Sequence, residues 1–166
     1  IKDCLQALSS ISDAKNLHLL PLYGRLGKEE QERVFLSTPP GKTKVVVSTN
    51  IAETSVTIDG ITMVIDSGLA KINFYSPKSF TEALIESPIS KASCNQRKGR
   101  AGRTQPGICY RLYDKEDFDS RPLFTLDEIY RTDLSEVVLR MSELGIRDFE
   151  SFDFISPPSK ESLRSA

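Results

Sequence analysis

A segment near the middle of the chain, QRKGRAGR at positions 96–103, has the composition of a phosphate-binding site. Arg97, Arg100 and Arg103 recur at every third residue, so a helix through them would bring three guanidinium groups roughly to one face. A guanidinium fork binds phosphate oxygens in pairs. The glycines between these arginines let a ligand approach the backbone closely. The alternative is a solvated basic helix, although such a helix rarely holds two glycines among four cations.

A second segment with possible chemistry is STNIAETSVTIDG, positions 48–60. It follows the β-branched run KVVVST at 44–49, which is typical of a strand buried on both faces. Ligand sites of open parallel sheets lie at the carboxyl ends of strands. Hydroxyl and amide side chains there can bind phosphate oxygens, and a helix N-terminus adds free N–H groups. A capped strand-to-helix loop has the same composition, so this segment alone leaves both interpretations open.

The net charge of −1, from 22 basic and 23 acidic residues, hides a strong asymmetry along the chain. Residues 91–111 hold six basic residues and no acidic one, whereas residues 112–153 hold five basic residues against twelve acidic ones. A total near zero therefore does not exclude a nucleic-acid partner. We expect the acidic stretch to face solvent or another domain.

The elements that must position these segments alternate between strands and helices. This order predicts an α/β fold with a parallel sheet and right-handed crossovers. Residues 69–89 depart from it and predict a β-hairpin. The helix at 126–144 has a capping box at Thr125 and Glu128, and Gly145 at its C′ position. Predicted strands cover 17–23, 44–49, 61–66 and 108–113, and predicted helices cover 1–11, 28–36, 50–55, 90–100 (N-capped by Ser90) and 126–144.

The two segments carry a family resemblance. STNIAETSVTIDG resembles motif V, and QRKGRAGR resembles motif VI, of the DEAH-box helicases of superfamily 2. LPLYG (20–24), SPISKAS (87–93) and PGICYRLY (106–113) agree as well, so the match covers nearly the whole chain.

The resemblance implies the second RecA-like domain of such a helicase, which is usually directed at RNA. The implied fold is a RecA-like parallel sheet flanked by helices, with an inserted β-hairpin and C-terminal helices. We expect residues 1–150 to form this domain, with its first strand missing. Residues 151–166 would be a linker toward an absent accessory domain of winged-helix type.

The resemblance also implies roles in ATP hydrolysis. Arg100 and Arg103 would be arginine fingers that reach the γ-phosphate, and Gln96 would orient the attacking water or the phosphate. Phe35 would pack on adenine, with packing in a helix core as its alternative. The remaining nucleotide contacts would be Ser55 of motif V and Asp59, which would bind the ribose.

Nucleic-acid contacts are implied at the strand ends. Thr49, Thr57 and the N–H of Gly24 would bind the phosphate backbone, and Asn50 and Lys91 complete the expected set. The hairpin would act as a wedge or strand guide.

The implied cofactor is ATP with Mg²⁺, the metal being held mainly by a first RecA-like domain. GKT at 41–43 ends like a P-loop, but Leu36 stands where its first glycine belongs and the segment precedes a strand. The residues suggest no metal site of their own. We expect single-stranded RNA, or DNA, as a partner, together with the first RecA-like domain and C-terminal accessory domains of the same protein. Three cysteines without C-x-x-C spacing, and no apolar run that would span a membrane, suggest a cytoplasmic protein.

Two alternatives remain, the first of them from a different functional class. The chain could be a nucleic-acid-binding scaffold without catalysis, or part of a helicase that acts on DNA. A dinucleotide-binding enzyme is disfavoured because no G-x-G-x-x-G follows a predicted strand.

Overall fold

The structure is a computed structural model that describes residues 1–53, 57–76 and 81–166, without the side chain of Ser76. Its strands are β1 (Leu17–Leu22), β2 (Thr43–Ser48), β3 (Met63–Asp66), β4 (Leu69–Ser76), β5 (Thr81–Pro88) and β6 (Ile108–Arg111). Its α-helices are α1 (Lys2–Ser9), α2 (Lys28–Glu32), α3 (Lys91–Lys98), α4 (Lys115–Ser120), α5 (Ser135–Glu143) and α6 (Lys160–Ser165). The chain divides into two compact units, residues 1–70 with 89–123, and residues 71–88 with 124–166.

The first unit contains two pairs of parallel strands. β1 pairs with β2, from Leu17 opposite Thr43 to Leu22 opposite Ser48. β3 pairs with β6 in the same sense. The core beside β1 consists of Leu20, Leu22 and Val34, each at most 2 % exposed. Parallel pairing between strands separated by helical crossovers confirms the predicted α/β class.

Helix α3 begins where the sequence predicts and ends earlier. The Ser90 hydroxyl accepts the N–H of Ser93 at 3.2 Å, as an N-cap does. The helix stops at Lys98, with Gly99 as its C-cap. The prediction that one helix would carry all three arginines is therefore wrong: Arg97 lies in α3, while Arg100 and Arg103 follow it in a turn. The physical reason is the helix-weakening effect of the two glycines.

The second unit contains the predicted hairpin, an antiparallel pair formed by β4 and β5. The N–H of Tyr75 in β4 donates to the Arg131 carbonyl at 2.8 Å. The Arg131 guanidinium in turn donates to the Asn73 carbonyl at 3.3 Å. These bonds join β4 to the segment that precedes α5.

The predicted helix at 126–144 is wrong in its first half. A 3₁₀ turn covers Glu128–Tyr130, and α5 begins only at Ser135. Asp133 explains the late start, because its carboxylate accepts both the N–H and the hydroxyl of Ser135. The predicted C-terminus is confirmed: Gly145 has φ +80°, and the N–H of Ile146 bonds back to Met141 at 3.0 Å.

Residues 151–166 belong to the second unit and include α6, where Leu163 is buried. The domain boundary at residue 150 stays a prediction. Within the described ranges, none of the helices is long and apolar enough to span a membrane.

Candidate nucleotide and nucleic-acid site

The carboxyl ends of β1 and β2 are bonded to each other. The Leu22 carbonyl accepts the Ser48 hydroxyl at 2.9 Å and the Thr49 N–H at 3.1 Å. Gly24 and the Thr49–Asn50 pair therefore follow neighbouring strands at the same sheet edge, and all three residues are exposed. This edge offers backbone N–H groups, a hydroxyl and an amide to a ligand. Thr57, which follows later in the chain, is also exposed.

The turn after α3 contacts the segment after β2. The Arg100 guanidinium donates to the Glu53 carbonyl, so the two motif-bearing segments meet at this bond. Partial burial lowers the pKa of Arg100, and the positive charge of Arg103 lowers it further, while Glu53 opposes both. Arginine nonetheless stays ionised in proteins. Two like charges held this close favour binding of an anion beside them.

Arg97 does not face a ligand, contrary to the expectation that three guanidinium groups share one face. Its Nε donates to the Glu53 carboxylate at 3.1 Å, and its Nη1 donates to Asp66 at 2.9 Å and to the Leu69 carbonyl at 3.1 Å. Because the protein itself supplies acceptors for these N–H donors, Arg97 is bound within the fold rather than directed at a phosphate. Gln96 and Arg103, by contrast, are exposed.

The sequence did not reveal the buried polar network around Asp66, which is 2 % exposed. Its carboxylate accepts the Tyr113 hydroxyl at 2.9 Å and the Gly68 N–H at 3.0 Å, besides Arg97. Burial, with hydrogen bonds to Cys94 and Asp66, raises the pKa of Tyr113. The sign of this network in the sequence is the acidic residue that ends the apolar run ITMVID.

Arg121 extends this network and is 6 % exposed. Its Nε binds Asp117 at 2.6 Å, and its guanidinium stacks 4.1 Å from the centre of the Tyr113 ring. The hydrogen bond from Arg121 lowers the pKa of Asp117. Almost all acidic residues of this stretch are exposed, in agreement with the expected solvated or docking face, whereas the basic residue Arg121 within it is buried.

The predicted nucleotide contacts are only partly described. Phe35 lies in a 3₁₀ turn and is 52 % exposed, while its neighbour Val34 is fully buried. The alternative of core packing for Phe35 is therefore wrong. Asp59 is exposed, directly before Gly60 with φ +79°. Ser55 lies outside the described residues.

Lys91 has partners within its own unit. Its ammonium donates to the Asp119 carbonyl at 2.8 Å and lies 5.9 Å from the centre of the Phe118 ring. Its role in nucleic-acid binding stays a prediction.

An open groove of about 520 Å³ lies beside the turn after α3. Its walls include none of the predicted site residues; they are Asn95, Lys98, Gly99, Gly102, Gly107 and Cys109. Among the described residues, no group of three or more His, Cys, Asp or Glu side chains could hold a metal ion. The predicted site residues that the structure describes lie outside this groove, and most of them are exposed. The candidate site is therefore an open surface with cationic and neutral donors.

Comparison with known proteins agrees with this geometry. Residues 2–105 match the family described as the helicase conserved C-terminal domain. The ATP-dependent RNA helicase HrpA of Borreliella burgdorferi is 55 % identical to this chain. The aligned region covers the whole of this chain and 20 % of that protein. HrpA from Escherichia coli is 47 % identical to this chain. That alignment covers 99 % of this chain and 12 % of HrpA. This chain thus spans a fifth or less of these relatives.

Solved structures give the same answer. The crystal structure of the Escherichia coli DEAH/RHA helicase HrpB aligns with a TM-score of 0.89 and 32 % identity. The alignment covers 99 % of this chain and 21 % of that one. This likeness confirms the RecA-like fold predicted from motifs V and VI. The chain belongs to the helicase conserved C-terminal domains, in the form found in the DEAH-box helicases HrpA and HrpB.

Proposed function

We propose that this chain is the part of an ATP-dependent RNA helicase that completes the ATP site and contacts the RNA backbone. The bond from Arg100 to the Glu53 carbonyl carries the proposal, because it joins the arginine turn to the segment that follows β2. A ligand of the arginines would thereby be coupled to the strand ends, where the RNA would bind. Such a protein would work in the cytoplasm.

In this proposal, Arg100 and Arg103 stabilise the charge that develops on the γ-phosphoryl group during hydrolysis. An arginine in this position is worth about 10³–10⁵ in rate. Gln96, exposed one turn before Arg100, would orient the attacking water or the phosphate. Phe35 and Asp59 would bind the adenine and the ribose. The open shape of the surface supports a nucleotide shared with another domain, which would also hold the Mg²⁺.

The RNA contacts would be neutral donors at one sheet edge. The hydroxyls of Thr49 and Thr57, the Asn50 amide and the Gly24 N–H can each bind a phosphate oxygen. Contacts to phosphate and sugar carry no base information, so we expect binding that is largely independent of sequence. Closure around ATP and its release would then shift these contacts along the strand.

We further propose that a strand and covering elements supplied by the rest of the protein widen the parallel sheet. The support for the covering elements is an exposed apolar face on the β3–β6 pair, while the additional strand is the one that the family resemblance implies. Met63 and Ile65 are 55 % and 66 % exposed, and their partners across the pair, Ile108 and Tyr110, are 56 % and 50 % exposed. Parallel sheets are normally covered on both faces. The accessory domain expected after residue 166 is part of the same proposal.

The test is ATP hydrolysis by the full-length protein. Arg103→Ala removes an exposed guanidinium and should lower RNA-stimulated kcat by about 10³-fold or more. RNA affinity should stay within about threefold, because the proposed RNA contacts lie at other residues. Arg140→Ala removes an exposed arginine from α5, at a salt bridge with Glu143, and should leave hydrolysis unchanged.

Three outcomes would contradict the proposal. Unchanged turnover in Arg103→Ala would refute the arginine-finger assignment. Absence of hydrolysis in the wild-type protein would favour the scaffold alternative. Stimulation by DNA but not by RNA would favour a DNA helicase. We expect the isolated 166-residue chain to hydrolyse no ATP.

A further inference from the structure

The chain leaves the first unit at Ala70 and returns to it at Ile89, with β4 and β5 largely between these points. We call Gly68, Leu69 and Ile89 the hairpin crossings. The N–H of Ile89 donates to the Gly68 carbonyl at 3.0 Å. Arg121 Nη1 donates to the same carbonyl at 2.7 Å and to that of Ile89 at 3.2 Å. A nearly buried guanidinium therefore fixes both crossings at once.

The outgoing crossing is also attached to α3, through Arg97. Its Nη1 binds Asp66 at 2.9 Å and the Leu69 carbonyl at 3.1 Å, and Asp66 accepts the Gly68 N–H. The Asp66 side chain is fully buried and that of Arg97 is 15 % exposed. Low exposure strengthens these charged hydrogen bonds. One guanidinium thus holds the residues on both sides of Gly68.

The other side of Arg97 reaches the candidate nucleotide site. Its Nε binds the Glu53 carboxylate at 3.1 Å, and Arg100 binds the carbonyl of the same residue. Glu53 therefore receives two arginines that lie three positions apart, one through its side chain and one through its backbone. When a ligand displaces Arg100, Glu53 can transmit the displacement to Arg97, because both arginines bind Glu53.

We propose that Arg97 is a positioning residue that couples the nucleotide at Arg100 to the hairpin crossings. Its three acceptors belong to the segment after β2, the end of β3 and the first residue of β4. Holding all three requires a planar fork of N–H donors, which lysine lacks. Displacement of α3 when a phosphate engages Arg100 then shifts Leu69. The proposal rests on the proposed function for its nucleotide, but not for the contacts themselves.

The first experiment compares full-length Arg97→Lys with Lys98→Met, an exposed neighbour on the same helix. The measured quantity is the number of base pairs separated per ATP hydrolysed. We expect this ratio to fall about five- to tenfold in Arg97→Lys, with the KM for ATP changed less than about twofold. Lys98→Met should match the wild type. A parallel loss of hydrolysis and unwinding, with an unchanged ratio, would indicate a merely structural role and overturn the proposal.

The second experiment does not depend on helicase activity. Hydrogen exchange at the amides of Gly68 and Ile89 is measured with and without a non-hydrolysable ATP analogue. In the nucleotide-free protein, Arg97→Lys should raise exchange at Gly68. In the wild type, the analogue should change exchange at Ile89, and this response should be lost in Arg97→Lys.

Tyr113→Phe is a milder variant that removes one hydrogen bond to Asp66. It should also raise hydrogen exchange at Gly68, but by less than Arg97→Lys. If the wild type lacks ATPase activity but Arg97→Lys raises exchange at Gly68, the proposed function fails while the contacts of Arg97 stand. Unchanged exchange in Arg97→Lys would refute the role of Arg97 even in an active helicase.

Discussion

Two carboxylates, one in each unit, show how differently the same chemistry is used. Asp66 of the first unit binds one arginine, a tyrosine hydroxyl and a backbone N–H, and its side chain is fully buried. Glu150 of the second unit binds two cations, Arg164 at 2.8 Å and Lys160 at 3.1 Å, and is 33 % exposed. Glu150 has more ion pairs than Asp66, yet we expect its substitution to lower the free energy of unfolding less.

Solvent accounts for this difference. Water and salt screen an exposed ion pair, and holding two long side chains together costs conformational entropy. A buried charge has lost its hydration, so removal of its partner leaves an uncompensated group. Arg164 and Lys160 are 71 % and 73 % exposed, whereas Arg97 is 15 % exposed. Burial, rather than the number of partners, decides which network positions the site.

The largest expected effect is that of Asp66→Asn. The substitution removes the more deeply buried of the two carboxylates that pair with Arg97 and leaves Asn facing three donors, which its amide cannot all accept. We expect the free energy of unfolding to fall by about 3–5 kcal/mol, as for a broken buried ion pair. Urea unfolding of the 166-residue chain measures it. A loss no larger than that for Glu150→Gln would erase the distinction between the two carboxylates.

A second test changes the backbone beside Asp66 rather than its charge. Gly68 has φ +72°, and a Cβ there would lie 2.6 Å from both Arg121 Nη2 and the Tyr113 ring. Gly68→Ala should cost about 2–3 kcal/mol, from backbone strain and overpacking together. Gly24→Ala is the matched control, since nothing lies within 4 Å of its Cβ position. Equal urea midpoints for the two variants would show that the network tolerates displacement.

The sequence predicts the strands, the hairpin and the N-cap of α3 well, because these depend on local patterns. A strand is indicated by a short apolar run such as KVVVST, and a helix start by the serine before it. Both signals lie within a few residues. Helix ends are harder, since Gly99 and Asp133 compete with the periodicity that favours longer helices.

The candidate site divides in the same way. The roles of Thr49, Arg100 and Arg103 are implied by the resemblance to motifs V and VI and stay predictions. The side-chain partners of Asp66 could not be predicted, because Arg97 and Tyr113 lie 31 and 47 residues along the chain from it. A single sequence carries no signal for a contact at that separation, and Arg97 therefore looked like one more phosphate ligand.

The smallest expected effect is that of Glu150→Gln, and it should depend on pH. Hydrogen bonds from Arg164 and then Lys160 lower the pKa of Glu150 below its ordinary value of 4.5. A carboxyl with a lowered folded-state pKa stabilises the fold above its unfolded pKa, and this contribution disappears as the pH falls through the folded value. The Tm of Glu150→Gln should therefore lie slightly below that of the wild type at about pH 7, and the difference should disappear as the pH falls below 4.5 and through the folded-state pKa.

Thermal unfolding across this range, at low salt, measures the difference. Added salt should shrink it at neutral pH, because both cationic partners are exposed. A Tm difference that persists at low pH would mean that Glu150 stabilises the second unit through packing rather than charge. A difference as large as that of Asp66→Asn would mean that exposure does not determine the strength of these ion pairs.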